Sequence, residues 1–101
     1  MRIIYKDSFV NRLENQIEYI AQDKPLAARK FKKELFNSIK SIPKNPFRFR
    51  KSIYFNDNNI RDLIYKGYTI VFRINNDIVE VFGFVKSQKY PTDWQTTTYN
   101  K

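Results

Sequence analysis

The sequence has no cysteine. Its absence removes disulfide staples, thiol nucleophiles and thiolate metal sites, and nothing in the chain marks an oxidising compartment. Histidine is missing too, and with it the usual neutral-pH general base and the commonest metal ligand. Any catalysis would run on Lys, Arg, Tyr, Asp or Glu, and neither a metal nor a cofactor is expected. Long hydrophobic runs are also lacking. The longest apolar-looking stretch, Tyr68 to Phe72, falls far short of the roughly 20 residues that cross a bilayer. Met1-Arg2-Ile3-Ile4-Tyr5-Lys6 holds no signal-peptide core. The expectation is a soluble cytoplasmic protein with no membrane partner.

What is present is enough to fold. The 101 residues suit one domain with one core, over 1–101, with a loosely ordered tail from about residue 95. A hydrophobic content of 42% with 17% aromatics exceeds what a disordered chain carries, despite the high charge. That charge is uneven. Between residues 24 and 51, ten basic residues stand against one acid, Glu34, which accounts for the whole net charge of +9. The rest of the chain balances nine basic residues against nine acidic ones. Such a field attracts a polyanion, either nucleic acid or an acidic protein, unless it is simply a solvated helix face.

Periodicity places the elements. Arg2 to Tyr5 reads as a short strand, after which Asp7 or Ser8 can cap a helix. Phe9, Leu13, Ile17 and Ile20 form one apolar helical stripe that runs to about Gln22. Asp23-Lys24-Pro25 ends that helix and starts a second, whose stripe is Ala28, Phe31, Leu35, Ile39 and Ile42, closed by Pro43. Two helices so closely joined predict an antiparallel hairpin. Three strands follow at about 60–65, 68–74 and 78–85, with Lys66-Gly67 and Asn75-Asn76-Asp77 as hairpin-sized connections. The middle strand alternates: Tyr68, Ile70, Phe72 and Ile74 on the face the helices should cover, Thr69, Val71 and Arg73 on the face they should leave open. The third strand is apolar on both faces apart from Glu80, as a central strand would be. The predicted class is α+β: a strand, a helical hairpin and a three-strand antiparallel meander, with both helices on one face of the sheet.

With these residues in this order, the chain resembles the RelE/ParE superfamily of toxins from bacterial type II toxin–antitoxin systems, also called plasmid stabilisation proteins. The resemblance runs from Ile3 to about Tyr90. It rests on Ile17-Glu18-Tyr19-Ile20-Ala21 followed by Pro25-Leu26-Ala27-Ala28-Arg29-Lys30-Phe31, then on Ile60-Arg61-Asp62-Leu63 and Gly67-Tyr68-Thr69-Ile70-Val71-Phe72-Arg73-Ile74. It implies a helical hairpin on a sheet, growth arrest, and neutralisation by an antitoxin encoded nearby in a toxin–antitoxin hetero-oligomer. RelE-like members cut messenger RNA on the ribosome without metal, through Lys, Arg and Tyr. That chemistry needs a base for the 2′-hydroxyl, cations for the extra phosphate charge and a proton for the leaving oxygen. The places where such a nuclease has two lysines and an arginine fall here at Ile60, Asp62 and Thr69. The ParE-type spacing of arginine, leucine and tyrosine fits Arg61, Leu63 and Tyr68. ParE-type members are described as poisons of DNA gyrase, so the resemblance favours that branch, with the ribosome and its messenger as the alternative target.

Candidate contact residues for a target or an acidic antitoxin are Arg48, Arg50, Lys51, Arg61, Arg73, Lys86 and Lys89. A nuclease centre would draw on Arg48, Arg50, Arg73, Lys86 and Tyr90. A third possibility is a non-toxic nucleic-acid-binding protein using the same basic stretch. Several of these residues also have bland readings. Arg61 could pair with a helix carboxylate such as Glu18, Phe47 and Phe49 could be core residues separated by solvated arginines, and Tyr90 or Trp94 could tuck onto the core.

Overall fold

The alternation of Tyr68-Thr69-Ile70-Val71-Phe72-Arg73-Ile74 organises the molecule. In a computed structural model that describes residues 1–86, this segment is the middle strand of a five-stranded sheet. The elements are β1 (Arg2–Tyr5), α1 (Asp7–Asp23), α2 (Pro25–Lys40), β2 (Arg50–Lys51), β3 (Ile60–Tyr65), β4 (Tyr68–Asn75) and β5 (Ile78–Lys86). Two short 3-10 turns, Ile42–Lys44 and Pro46–Arg48, bridge α2 and β2. The sheet order is β1-β5-β4-β3-β2. The meander β3-β4-β5 is antiparallel, as the sequence predicts. The sheet as a whole is mixed, because β1 lies parallel to β5 with Ile3 opposite Val79. The expected tail from about residue 95 lies outside the described residues.

Both helices pack on the Ile70/Phe72/Ile74 face. Phe9 and Leu13 of α1, Leu35 and Ile39 of α2, and Ile42 just beyond it are fully or nearly fully buried against Leu63, Val79, Val81 and Phe84. Each such side chain contributes roughly 1.5–3 kcal/mol by leaving water. An aromatic cluster fills the ends of this layer: Tyr68 stacks on Phe84 with ring centroids 5.1 Å apart, and Phe9 meets Phe84 edge-on at 6.1 Å.

The helix starts differ from the expected cap. Neither Asp7 nor Ser8 caps α1; the N-cap is Lys6, and no side chain bonds there. Lys6 is committed to the sheet instead, its N–H donating to the Val81 carbonyl at 2.9 Å and extending the β1–β5 ladder by one residue. The Ser8 hydroxyl turns outward to the Phe82 carbonyl at 2.7 Å. Between the helices a single residue, Lys24, serves both. Its N–H donates to the Ile20 carbonyl at 2.8 Å, closing α1, and its carbonyl accepts from Ala28 at 3.0 Å, opening α2. Pro25 follows at the first position of α2, where its missing N–H costs nothing.

Two backbone features shape the sheet. The β3–β4 turn puts both Lys66 (φ +46°) and Gly67 (φ +84°) in the left-handed region, and Lys66 has no glycine's freedom there. Its ammonium is fastened to Glu34 of α2 at 3.4 Å, and the same carboxylate oxygen accepts from the Tyr65 hydroxyl at 2.7 Å. The second feature lies between β4 and β5, where the register shifts: Val71 faces Gly83, yet Phe72 faces Val81. Phe82 is the extra residue of a β-bulge. At that crossing a Cβ on residue 83 would stand 2.9 Å from the Val71 Cβ, so only glycine fits.

Gly83→Ala is therefore expected to lower stability by about 1–3 kcal/mol through overpacking, read by thermal or urea unfolding. Pairing it with Val71→Gly, which removes the Cβ that the new methyl would meet, should recover part of that loss; strictly additive costs would mean the close approach is not the cause. Glu34 supplies a pH test. The Tyr65 hydroxyl first, and then the Lys66 ammonium, hold its carboxyl below the usual glutamate range. A lowered folded-state value stabilises the protein above the unfolded value and ceases to do so as pH falls through the folded one. The stability gap between the parent and Glu34→Gln should thus be full at neutral pH and close once the pH drops well below about 4.3, the ordinary glutamate value. A gap that persists unchanged to pH 2 would contradict this.

Candidate functional site

Cross-strand partners share a face of the sheet, which sorts the candidate cations. Leu63 and Ile70 are paired and lie beneath the helices, so Arg61 and Tyr68 belong to the helix face. Asp62 pairs with Val71 and Ile60 with Arg73, so these four occupy the far face. Arg50 pairs with Asp62 on the far face, and Lys51 with Arg61 on the helix face. Lys86 pairs with Tyr68 at the extreme end of β4, and Arg73 pairs with Glu80 near the other end.

The far face is less open than alternation suggests. Thr69 is only 1% exposed and Val71 only 2%, and the segment 52–59 folds back beside Val71 and Phe82 on this side of the sheet. Phe55 meets Phe82 edge-on at 5.6 Å, and the Ile53 N–H donates to Asp62 Oδ2 at 3.2 Å. Asp62 anchors the fold-back. Its side chain is completely buried, and Oδ2 also accepts from Arg50 Nε at 3.2 Å and Nη2 at 3.1 Å. Oδ1 is buried with no hydrogen-bonding partner among the described residues. The three bonds to Oδ2 must therefore offset most of the cost of desolvating the carboxylate.

Three of the candidate arginines are used to build the molecule. Arg61 pairs with no helix carboxylate. It donates from Nε to the Asn58 carbonyl at 2.9 Å, from Nη2 to Asn58 Oδ1 at 3.0 Å and from Nη1 to the Phe49 carbonyl at 3.0 Å. Its guanidinium lies over the Phe47 ring, 4.8 Å from the centroid. Arg48 donates to the Ser41 hydroxyl at 3.1 Å and stacks on Phe49 at 4.5 Å, and Arg50 is held by Asp62. The two phenylalanines divide: Phe49 packs edge-on against Phe72 at 5.6 Å, whereas Phe47 stays half exposed under Arg61. Arg61, Leu63 and Tyr68, the trio that marks the ParE-type spacing, are all framework residues. Leu63 is core, and the Tyr68 hydroxyl accepts from Gln16 of α1 at 2.8 Å.

Arg73, Lys51 and Lys86 remain on the surface. Arg73 is 51% exposed and lies 3.3 Å from Glu80 in an ion pair of the kind that contributes little in water. Lys51 and Lys86 are exposed and take part in no ion pair among the described residues. Lys89, Tyr90 and Trp94 lie outside the described residues. Of the cations proposed for a nuclease centre, Arg73 and Lys86 are not brought together. Five residues of β4 separate the position opposite Lys86 from Arg73, about 17 Å of strand, and the two side chains leave the sheet on opposite faces.

A groove that single residues do not announce in the sequence lies beside β5. It has a volume of about 270 Å³ and runs between Ser8 and Arg12 of α1, Tyr54 and Phe55 of the fold-back, and β5 from Phe82 to Val85. Among the described residues no strand pairs with β5 beyond Val81 on the β1 side. The groove is thus an apolar trough along an open strand edge, with one cation, Arg12, at its rim. The parallel β1 pairing that ends at Tyr5 creates it.

The division of labour among the arginines is testable by urea denaturation. Arg61→Lys, which cannot reach two carbonyls and an amide together, is expected to cost about 1–3 kcal/mol, while Arg73→Lys should stay within about 0.5 kcal/mol. Equal costs at the two positions would contradict the framework role of Arg61.

Comparison with known proteins agrees with this architecture. No curated protein matches the chain. In solved structures it is similar to a chain of the chromosomal ParDE toxin–antitoxin system from P. aeruginosa, with a TM-score of 0.73 over 87% of this chain and 97% of that one. Sequence identity is 11%, so the likeness is one of fold. At the level of sequence, the family described as the ParE toxin of the type II toxin–antitoxin system parDE matches residues 3–89. The sheet order, the helical hairpin and that match over most of its length place this chain in the ParE toxin family of type II toxin–antitoxin systems.

Proposed function

We propose that this ParE-family chain arrests bacterial growth in the cytoplasm by binding DNA gyrase, and that it does not cut RNA. The observation that carries the reading is the separation of Arg73 and Lys86. One scissile phosphate needs its base, its cations and its proton donor within hydrogen-bond reach. Two cations about 17 Å apart along the sheet and on opposite faces cannot meet that need. They can meet a protein surface, whose contact residues are spread over a patch of that scale. The positions where a nuclease has cations support the same reading. Asp62 and Thr69 are buried there, and Ile60 is an apolar residue of the far face. Arg73, Lys86 and Lys51, with Lys89 beyond the described residues, are the proposed target contacts. Arg48, Arg50 and Arg61 are proposed to act only by shaping the surface.

The neutralising partner is an acidic antitoxin encoded nearby, forming a hetero-oligomer with the toxin. The groove beside β5 is its proposed seat. An extended segment can hydrogen-bond to the open strand edge, place an apolar side chain against Phe82 and Phe55, and set a carboxylate on Arg12. A role in plasmid stabilisation would follow from that pairing.

Controlled expression, followed by gyrase supercoiling and DNA-cleavage assays beside a translation-dependent messenger-cleavage assay, tests the target. Inhibited supercoiling with intact messenger is the expected result; cleaved messenger with normal supercoiling would overturn the reading. The double variant Arg73→Ala/Lys86→Ala should stay folded and require at least about tenfold more protein for the same inhibition, a loss of roughly 1.4 kcal/mol or more. Full toxicity in that variant would remove both residues from the contact surface.

A further inference from the structure

Helix α2 has two unlike sides. Ala28, Phe31, Leu35 and Ile39 face the sheet, while Arg29, Lys32, Lys33, Phe36, Asn37 and Lys40 line a shallow trough on the outside. With 3.6 residues per turn, the four cations of that trough fall within an arc of about 100° and span about 16 Å along the axis. All four are exposed and none takes part in an ion pair among the described residues. The helix's one carboxylate, Glu34, does not offset them, because the Tyr65 hydroxyl and the Lys66 ammonium already hold it at the β3–β4 turn. Phe36, the trough's one apolar residue, is partly buried, its ring set against Tyr5 at 5.4 Å and Phe9 at 6.4 Å.

We propose that this side of α2 binds the phosphate backbone of duplex DNA, without regard to sequence. An acidic protein segment is the rival occupant, and the trough suits it poorly. Exposed ion pairs contribute only about 0–1 kcal/mol each, so a peptide needs apolar anchors, and the trough offers one ring already packed from beneath. Of the exposed large apolar side chains among the described residues, Leu26 alone belongs to α2, about one turn before Arg29, and it leaves a peptide a single aliphatic anchor at the end of the row; Tyr54, Phe55 and Ile64 lie elsewhere, on the segment 52–59 and on β3. A single strand is also a poor fit, since it gains much of its affinity by stacking bases on exposed aromatics. A duplex needs only cations: its charge density of about one per 1.7 Å of axis releases counterions to a row of lysines and arginines. None of the residues in this row lines the groove beside β5. The surface stays available when that groove is filled, and DNA contact here does not depend on gyrase being the target.

The test uses the full chain made by cell-free synthesis and a labelled 20-base-pair duplex of arbitrary sequence, with binding followed by fluorescence anisotropy between 50 and 200 mM salt. Four phosphate contacts predict a log–log slope near −3.6 and about a hundredfold loss of affinity across that range. Lys32→Gln/Lys33→Gln/Lys40→Gln should reduce the slope to about −1 and weaken binding at 50 mM salt at least about tenfold. A control with the same net charge, Lys6→Gln/Lys24→Gln/Lys44→Gln, should bind within about threefold of the parent. If the helix triple does not melt like the parent, Lys33→Glu alone is read against Lys44→Glu. The proposal is overturned if the two triples weaken binding equally, which would mean attraction by net charge only. It is overturned too if single-stranded RNA of the same length binds more tightly than the duplex, or if poly-glutamate displaces the duplex at matched charge.

Discussion

Arg61 and Asp62 are neighbours on β3, and because successive strand residues point to opposite faces, they reach out on both sides of the sheet. Arg61 gathers the carbonyls of Phe49 and Asn58 on the helix side. Asp62 gathers Arg50 and the Ile53 backbone on the far side. Between α2 and β3 the chain has only two 3-10 turns and a two-residue strand of its own. This pair of charged residues holds that passage against the sheet, and the rest depends on it. With the passage in place, Phe49 can pack on Phe72, Phe55 can cover Phe82, and the fold-back can form one wall of the groove beside β5.

The same constraint sets where the surface can act. A basic stretch that looks uniformly available in the sequence divides in space into arginines that are tied down, Arg48 and Arg50, and cations that are not, Arg29 and the lysines of α2. The tied arginines cluster near the start of β2 and β3. The free lysines of α2 lie along a helix whose other side is committed to the core. The molecule therefore presents two chemically distinct surfaces: a trough on α2 bordered by four cations, and a trough along a strand edge with one, Arg12. Each favours a different class of partner, and the two share no residue.

Much of the fold was legible because it is written in short-range periods. The stripes Phe9-Leu13-Ile17-Ile20 and Ala28-Phe31-Leu35-Ile39 and the alternation from Tyr68 to Ile74 each fix a face within a few residues. What was not legible depends on long-range partners. The bulge at Phe82 arises only where β5 meets β4, and the left-handed Lys66 only where Glu34 waits on another element. The absent cap at Asp7 reflects a ladder bond from Lys6 to Val81. At the site, the sequence could nominate Arg61 but not its acceptors, since backbone carbonyls carry no residue signature. It likewise could not show that Asp62 would be buried, because charge composition gives no hint of the segment that folds over it.

The parallel pairing of β1 with β5 has a consequence for how the protein comes into being. The strand synthesised first has to wait for the strand at 78–86, and α1, which rests on β5, waits with it. Until those residues emerge, Phe9 and Leu13 have no Val79, Val81 or Phe84 to pack against, and such non-local closure is slow compared with helix formation. A chain halted before Ile78 therefore has β3 and β4 for α2 to rest on but lacks the strand that covers Phe9 and Leu13, which makes it a substrate for chaperones and proteases rather than a weaker version of the finished molecule.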